Sequence, residues 1–138
     1  MLGATSILLE NPISILDRKI LEKIIYKLNP TILYLPVTLI RLLKSLNNNN
    51  TSIKSNIEVI GSMGEPLSPS VGKWYSNFFN LKNKSIVNTY FQTETSAIIS
   101  SPTFKDTKNI SPHGTVGKAI KHLGVKIINK EIIITNPW

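Results

Sequence analysis

The sequence predicts an α/β fold, a mostly parallel sheet flanked by helices, and three observations predict it. Short β-branched runs alternate with stretches of helical period, turn residues separate them, and 138 residues is about one domain's length. Strand and helix in strict alternation is the pattern of βαβ units with right-handed crossovers.

Ala4 to Leu9 is an apolar run closed by Glu10, Asn11 and Pro12, read as a buried strand and a turn. From Asp17 the period changes: Ile20, Leu21, Ile24, Ile25 and Leu28 recur at helical spacing, with Asp17 as N-cap and Asn29 and Pro30 as the stop. Thr31 to Leu35 has the composition of a strand buried on both faces. Pro36 then opens a second helix whose Leu39, Ile40, Leu43 and Leu46 line one side. The run Asn47 to Asn50 reads as an exposed loop. Ile57 to Ile60 is a strand stopped by Gly61, Gly64 and Pro66. Ser68 and Pro69 start a third helix with Val71, Trp74, Tyr75, Phe78 and Phe79 on one face, and Ser85 to Tyr90 returns to strand. Gly124 to Ile128 and Glu131 to Thr135 form a hairpin across Asn129 and Lys130.

Sixteen Lys and Arg against eight Asp and Glu leave a formal charge of +8. The basic residues are scattered, and Lys118, Lys121 and Lys126 with His122 are their one modest concentration, so a lysine-rich solvated surface is expected and no nucleic-acid partner. The helical spacing of Trp74, Tyr75, Phe78 and Phe79 marks core rather than a base-stacking surface. Without cysteine there are no disulfides, thiolate metal sites or cysteine nucleophile, and His113 and His122 lack metal-ligand spacing. The most apolar region, Ile24 to Leu43, is broken by Lys27, Asn29, Pro30, Pro36 and Arg41, and no basic n-region precedes Met1 to Leu9. A soluble, cytoplasmic protein without membrane contact is expected.

In an open parallel sheet, ligands bind beyond the carboxyl ends of the strands. Two turns there are unusual, Gly61-Ser62-Met63-Gly64-Glu65-Pro66 and Gln92-Thr93-Glu94-Thr95-Ser96, and both would lie on one edge. Each has an ordinary reading, a strand-to-helix turn for the first and a helix cap for the second. Each also has a chemical one: glycines permit close backbone approach, hydroxyls donate to phosphate oxygens, and a carboxylate suits a Mg²⁺ that rides on phosphates. No Gly-x4-Gly-Lys-Ser/Thr loop is present.

The two turns in this order, GSMGEP and then NTYFQTETS, resemble the adenylate-binding motifs of the acyl-adenylate-forming superfamily, most closely its AMP-forming acetyl-CoA synthetases (acetate–CoA ligases). GATSILLE, TILYLPVTLIRLL, the Pro-Ser-x-x-x-Trp-Tyr helix and HGTVGKAIKHLGVKIIN extend the resemblance over essentially the whole chain, roughly a fifth to a quarter of a family-length enzyme. It implies acetate, ATP and CoA as substrates: acetate attacks the α-phosphate of ATP to give acetyl-AMP and pyrophosphate, and the CoA thiol then displaces AMP. It implies that Gly64, Glu65 and Pro66 pack along the adenine and ribose edge. Asn88 would hydrogen-bond the adenine, Tyr90 would stack on it, and Thr89, Phe91 and Gln92 would complete the nucleotide-binding stretch. As catalytic residues, Thr93 would contact the α-phosphate and Glu94 would carry Mg²⁺. Amide, hydroxyl and carboxylate suit a purine edge and a charged phosphorus centre.

The acetyl-specific pattern is Asp-Thr-Trp-Trp-Gln-Thr-Glu-Thr-Gly, and this chain departs from it at Asn88, Tyr90, Phe91 and Ser96. Members that accept long acyl chains place Gly where Phe91 stands. A ring there still closes the tunnel, and Met63 narrows the same pocket. Each excluded methylene is worth roughly 1–3 kcal/mol of discrimination, which favours acetate and excludes propionate least. The alternatives are another short-chain ligase or a non-catalytic nucleotide-binding relic.

Residues 1–100 read as a piece of the α/β nucleotide-binding subdomain and 101–138 as a β-rich extension that begins the next. The family's Gly/Ser/Thr-rich phosphate loop with its Lys would lie upstream of Met1, and its ribose-binding Asp, the following Arg and the adenylation Lys beyond Trp138. The start at Met1 and the bare Pro137-Trp138 end read as a fragment, for which no ligase activity is expected.

Overall fold

The computed structural model describes residues 3–47, 51–81, 86–102 and 114–136. At its centre lie three parallel strands, β1 (Ile32–Pro36), β2 (Val59–Met63) and β3 (Val87–Asn88), in that spatial order. Helices α1 (Arg18–Leu28), α2 (Val37–Asn47) and α3 (Pro69–Phe78) complete the core, so the α/β class is as the alternating periods predict.

The helix ends follow from side-chain chemistry. Asp17 Oδ1 accepts from the backbone N–H groups of Lys19 at 2.8 Å and Ile20 at 3.3 Å, filling orphan donors of α1. At its other end Asn29 turns left-handed, φ 44°. Ser68 Oγ accepts from Val71 N–H at 3.4 Å and Pro69 fills the first helical position of α3. The aromatic face of α3 is core: Tyr75, Phe78 and Phe79 are buried, and half-buried Trp74 stacks on Phe78 with ring centroids 4.6 Å apart.

Several expectations are corrected. Residues 4–9 form no strand and are exposed except for Leu9, because among the described residues no strand offers their backbone a ladder. The first strand is not buried on both faces: among the described residues β1 pairs with β2 alone, and it buries Leu35 while leaving Ile32 64% exposed. On α2 the buried positions are Val37, Ile40, Leu43 and Asn47, Leu39 is half-buried, and Leu46 faces out. Asn47 ends α2 rather than starting a loop, its Nδ2 donating to the Leu43 carbonyl, while 48–50 lie outside the described residues. The second strand is displaced to β2 and runs through Gly61 instead of stopping there.

Of the strand expected over 85–90, Ser85 lies outside the described residues and the remainder divides. After β3 the chain leaves the parallel sheet at Thr89, and β4 (Tyr90–Phe91) joins β5 (Ile98–Ser101) and β6 (Lys118–Ala119) in an antiparallel sheet, with the register shifting between Tyr90 and Phe91. The closing hairpin is as expected, β7 (Lys126–Ile128) against β8 (Glu131–Ile133), with Asn129 and Lys130 both at positive φ as a two-residue turn requires. No described helix is long and apolar enough to cross a membrane.

Buried Tyr75 donates its hydroxyl to the Gly61 carbonyl at 3.4 Å, and burial pushes the phenol well above the usual tyrosine range. A proton held more tightly in the folded state contributes stability that is intact below the unfolded value of about 10 and is lost as pH rises above it. Tyr75→Phe should therefore flatten the fall in urea midpoint above about pH 10. An unchanged alkaline slope would assign that loss to other groups.

Candidate functional site

The first turn leaves the carboxyl end of β2 in the parallel sheet, and the second joins β4 to β5 in the antiparallel sheet that follows β3. Ser62 on β2 stands opposite Asn88 on β3. Ser62 Oγ donates to Asn88 Oδ1 at 2.9 Å, and the Ser62 carbonyl accepts from Thr89 N–H at 2.9 Å and Thr89 Oγ1 at 3.2 Å. A hydroxyl has one proton, and Thr89 gives its proton to Ser62, so Tyr34 OH donates to Thr89 Oγ1. A relay from β1 through Thr89 to β2 thus ties together the strand ends. Asn88, 2% exposed, also donates Nδ2 to the Thr115 carbonyl at 3.2 Å, which draws in the C-terminal stretch.

Beside this network is a cavity of about 560 Å³ lined by Tyr34, Met63, Phe91, Ala97, Ile98 and Ile120. Met63 is where the first turn departs, and Phe91 and Ala97 are the two feet of the second. Gly61 makes the wall of this cavity possible, since a Cβ there would overlap the Tyr34 ring.

The second turn is a single 3-10 turn, Thr93–Thr95, not the cap of a following α-helix. Thr95 organises it: Oγ1 accepts from Gln92 N–H at 3.2 Å and lies 2.8 Å from the carbonyls of both Gln92 and Ala97. Thr93 and Glu94 are exposed, and the Thr93 hydroxyl donates to the Glu94 carboxylate at 3.3 Å. Ser96 takes φ 59°, the region glycine enters without strain, which explains in physical terms a Gly at that position of the acetyl pattern. Among the described residues no three His, Cys, Asp or Glu gather into a metal cluster. One hard carboxylate is nonetheless what a Mg²⁺ already held by phosphate oxygens requires, and exposed Glu94 fits that role.

In the first turn Gly64 takes φ +88°, and nothing lies within 4 Å of where its Cβ would be. Glu65 and Pro66 are exposed at the strand edge, and Glu65 turns its carboxylate to Arg41 and Thr38 on α2. Tyr90 is half-buried at the start of β4.

The family model for AMP-binding enzymes matches residues 1–133. The chain belongs to the AMP-binding enzyme family. Other AMP-binding chains similar to it include the acetyl-coenzyme A synthetase of Marinomonas sp. (strain MWYL1), 34% identical over 72% of this chain and 16% of that protein. That of Syntrophus aciditrophicus (strain SB) is 30% identical over 99% of this chain and 23% of its own length, and that of Cryptosporidium parvum 41% identical over 50% and 10%. The chain therefore spans less than a quarter of the relatives it matches. The anthranilate CoA ligase AuaEII, solved in complex with anthranoyl-AMP, superposes with a TM-score of 0.69 at 20% identity over 96% of this chain and 24% of that one. The acyl-CoA synthetase of Brucella canis gives 0.65 at 24% identity over 86% and 21%. At these identities the superpositions establish the fold.

Several residues of this candidate site carry no sequence signal. Tyr34 sits inside an apolar strand, Ile98 and Ala97 follow the motif, and Ile120 comes from a stretch whose period says nothing about the cavity. Thr38 and Arg41 look like the polar side of α2. His122 is exposed, with its carbonyl accepting from Asn136 Nδ2, and His113 lies outside the described residues.

Gly61→Ala should destabilise the chain by about 1–3 kcal/mol in urea unfolding, the scale of overpacking. Tyr34→Ala combined with it should cost less than the sum of the two singles, because the second change removes the clash. Strict additivity would place the Tyr34 ring elsewhere.

Proposed function

We propose that the chain is part of an AMP-forming acetate–CoA ligase and supplies its adenylate-binding edge and acyl pocket. The observation that supports this best is the apolar cavity shared by Met63 and the two feet of the 92–96 turn. A carboxylic acid lodged there would hold its methyl group among Met63, Tyr34 and Phe91 and present its carboxylate toward Thr93.

In this reading acetate oxygen bonds to the α-phosphorus of ATP as the bond to pyrophosphate breaks. The CoA sulfur then bonds to the acetyl carbon and AMP leaves. Thr93 donates its hydroxyl to an α-phosphate oxygen, where negative charge builds in the pentacoordinate state. Mg²⁺ arriving with the nucleotide would neutralise phosphate charge, and Glu94 would hold it. Gly64, Glu65 and Pro66 form the adenine and ribose edge with Asn88, Thr89, Tyr90 and Gln92. The Asn88 amide keeps one N–H and one lone pair beyond its bonds to Ser62 and Thr115, and Tyr90 offers a ring face. Residues 101–138 we take as the start of a further β-rich unit, and the setting as cytoplasmic with small-molecule partners. Positioning in such enzymes is shared among separated segments. Turnover by 138 residues that span under a quarter of their relatives is therefore not expected.

A second reading, a ligase for propionate, is favoured by Phe91. A phenyl ring leaves more room than the indole of the acetyl pattern.

Calorimetric titration of the 138-residue chain with AMP and Mg²⁺ should show binding, which Glu94→Gln weakens when Mg²⁺ is present and leaves unchanged in its absence. A wild-type chain that takes up no AMP and no acetyl-AMP analogue would overturn the proposal. Wild type should favour a non-hydrolysable acetyl-AMP analogue over its butyryl counterpart by roughly tenfold or more, and Phe91→Gly should erase that preference. Retention of the preference in Phe91→Gly would place the acyl group outside this cavity.

A further inference from the structure

Glu65 is the charged residue of the first turn, and its carboxylate is already engaged. Oε1 accepts from Thr38 Oγ1 at 2.9 Å, Oε2 accepts from Arg41 Nη1 at 2.6 Å, and Arg41 Nη2 donates to the Pro66 carbonyl at 3.1 Å. Residues 38 and 41 lie on one face of α2, three positions apart. Lys44, next in that row, lies 3.5 Å from the Ser70 carbonyl. One guanidinium fork therefore spans two consecutive residues of the turn, a geometry that a lysine ammonium cannot reproduce.

Gly64, just before this grip, is the joint of the turn. It takes a positive φ with no neighbour near its Cβ position, so packing does not fix its backbone. A turn hinged there on one side needs a brace on the other. The brace is exposed, with the Arg41 and Glu65 side chains 49% and 41% accessible, and exposed ion pairs contribute little to global stability. Its effect is local.

We propose that Arg41, assisted by Thr38, is a positioning residue for nucleotide binding: through Glu65 and the Pro66 carbonyl it holds the 64–66 turn against α2, and neither Arg41 nor the Glu65 carboxylate touches the ligand. This rests on the acyl-adenylate reading. It deepens that reading by assigning Glu65 the role of a handle and its backbone neighbours the ligand face.

The test uses the full 138-residue chain. Backbone amide order parameters at Gly64 and Glu65 should sit in the rigid range near 0.85 in wild type and fall toward about 0.6 in Arg41→Ala, while amides of β1 and β2 keep theirs. AMP affinity should fall roughly three- to tenfold, the scale of one exposed ion pair and one charged hydrogen bond. Arg41→Lys should recover only part of it, and Thr38→Val should give a smaller loss of the same kind. A wild type that binds AMP with Arg41→Ala equal to it in affinity, or in order at 64–66, overturns the positioning role alone. A wild type that binds no AMP overturns the nucleotide reading and the positioning role with it. An Arg41→Ala variant that loses order throughout β1 and β2 would make the residue structural and also overturn the proposal.

Discussion

The pairing of Ser62 with Asn88 at the ends of parallel strands is the constraint from which the site follows. Parallel strands deliver successive turns to the same edge, but adjacency alone would leave those turns free to splay. Here the Ser62 hydroxyl meets the Asn88 amide, the Ser62 carbonyl takes both donors of Thr89, and Tyr34 closes the relay from β1. Buried polar groups joined in this way hold one geometry, because a break strands a donor or acceptor in low dielectric. The bond from Asn88 to Thr115 carries the constraint to the C-terminal stretch, whose Ile120 thereby reaches the cavity.

The glycine at 61 shows how packing and chemistry are joined. In a strand interior glycine weakens the sheet and marks a close approach. The approaching group is the Tyr34 ring, which covers Gly61 and lines the cavity, while its hydroxyl reaches Thr89. Tyr75 donates to the Gly61 carbonyl, so the same residue is held from α3. A substitution read from sequence as the end of a strand would thus disturb pocket wall, relay and core together.

What the sequence made legible was local. Caps at Asp17 and Ser68, the aromatic face of α3 and the Asn129-Lys130 turn depend on neighbours within one or two helical turns or across a hairpin, and each is found where residue chemistry places it. The two motif turns do not leave one parallel sheet as βαβ alternation predicts: the second joins antiparallel β4 and β5, and the two meet through the cavity lined by Met63, Phe91 and Ala97. Illegible were features that depend on distant partners. Residues 4–9 have a strand's composition, but without a described ladder they have no strand's conformation. The break at Thr89 arises because that residue turns to bond Ser62, and β5 and β6 are too short to show a period. Arg41 looked like an interruption of an apolar stretch, and its meaning lies in Glu65, twenty-four positions away.

On the acyl-adenylate reading, the acid pocket and the nucleotide edge share the same short segments. Met63 lines the cavity and Glu65 is braced to α2, with only Gly64 between them; Phe91 lines the cavity and Thr93 is exposed, with only Gln92 between them. In that reading, the residues that would choose the acyl group and those that would align the nucleotide are therefore near neighbours in the same two turns. The register of β4 against β5 shifts between Tyr90 and Phe91, and of those two rings it is Phe91 that lines the cavity.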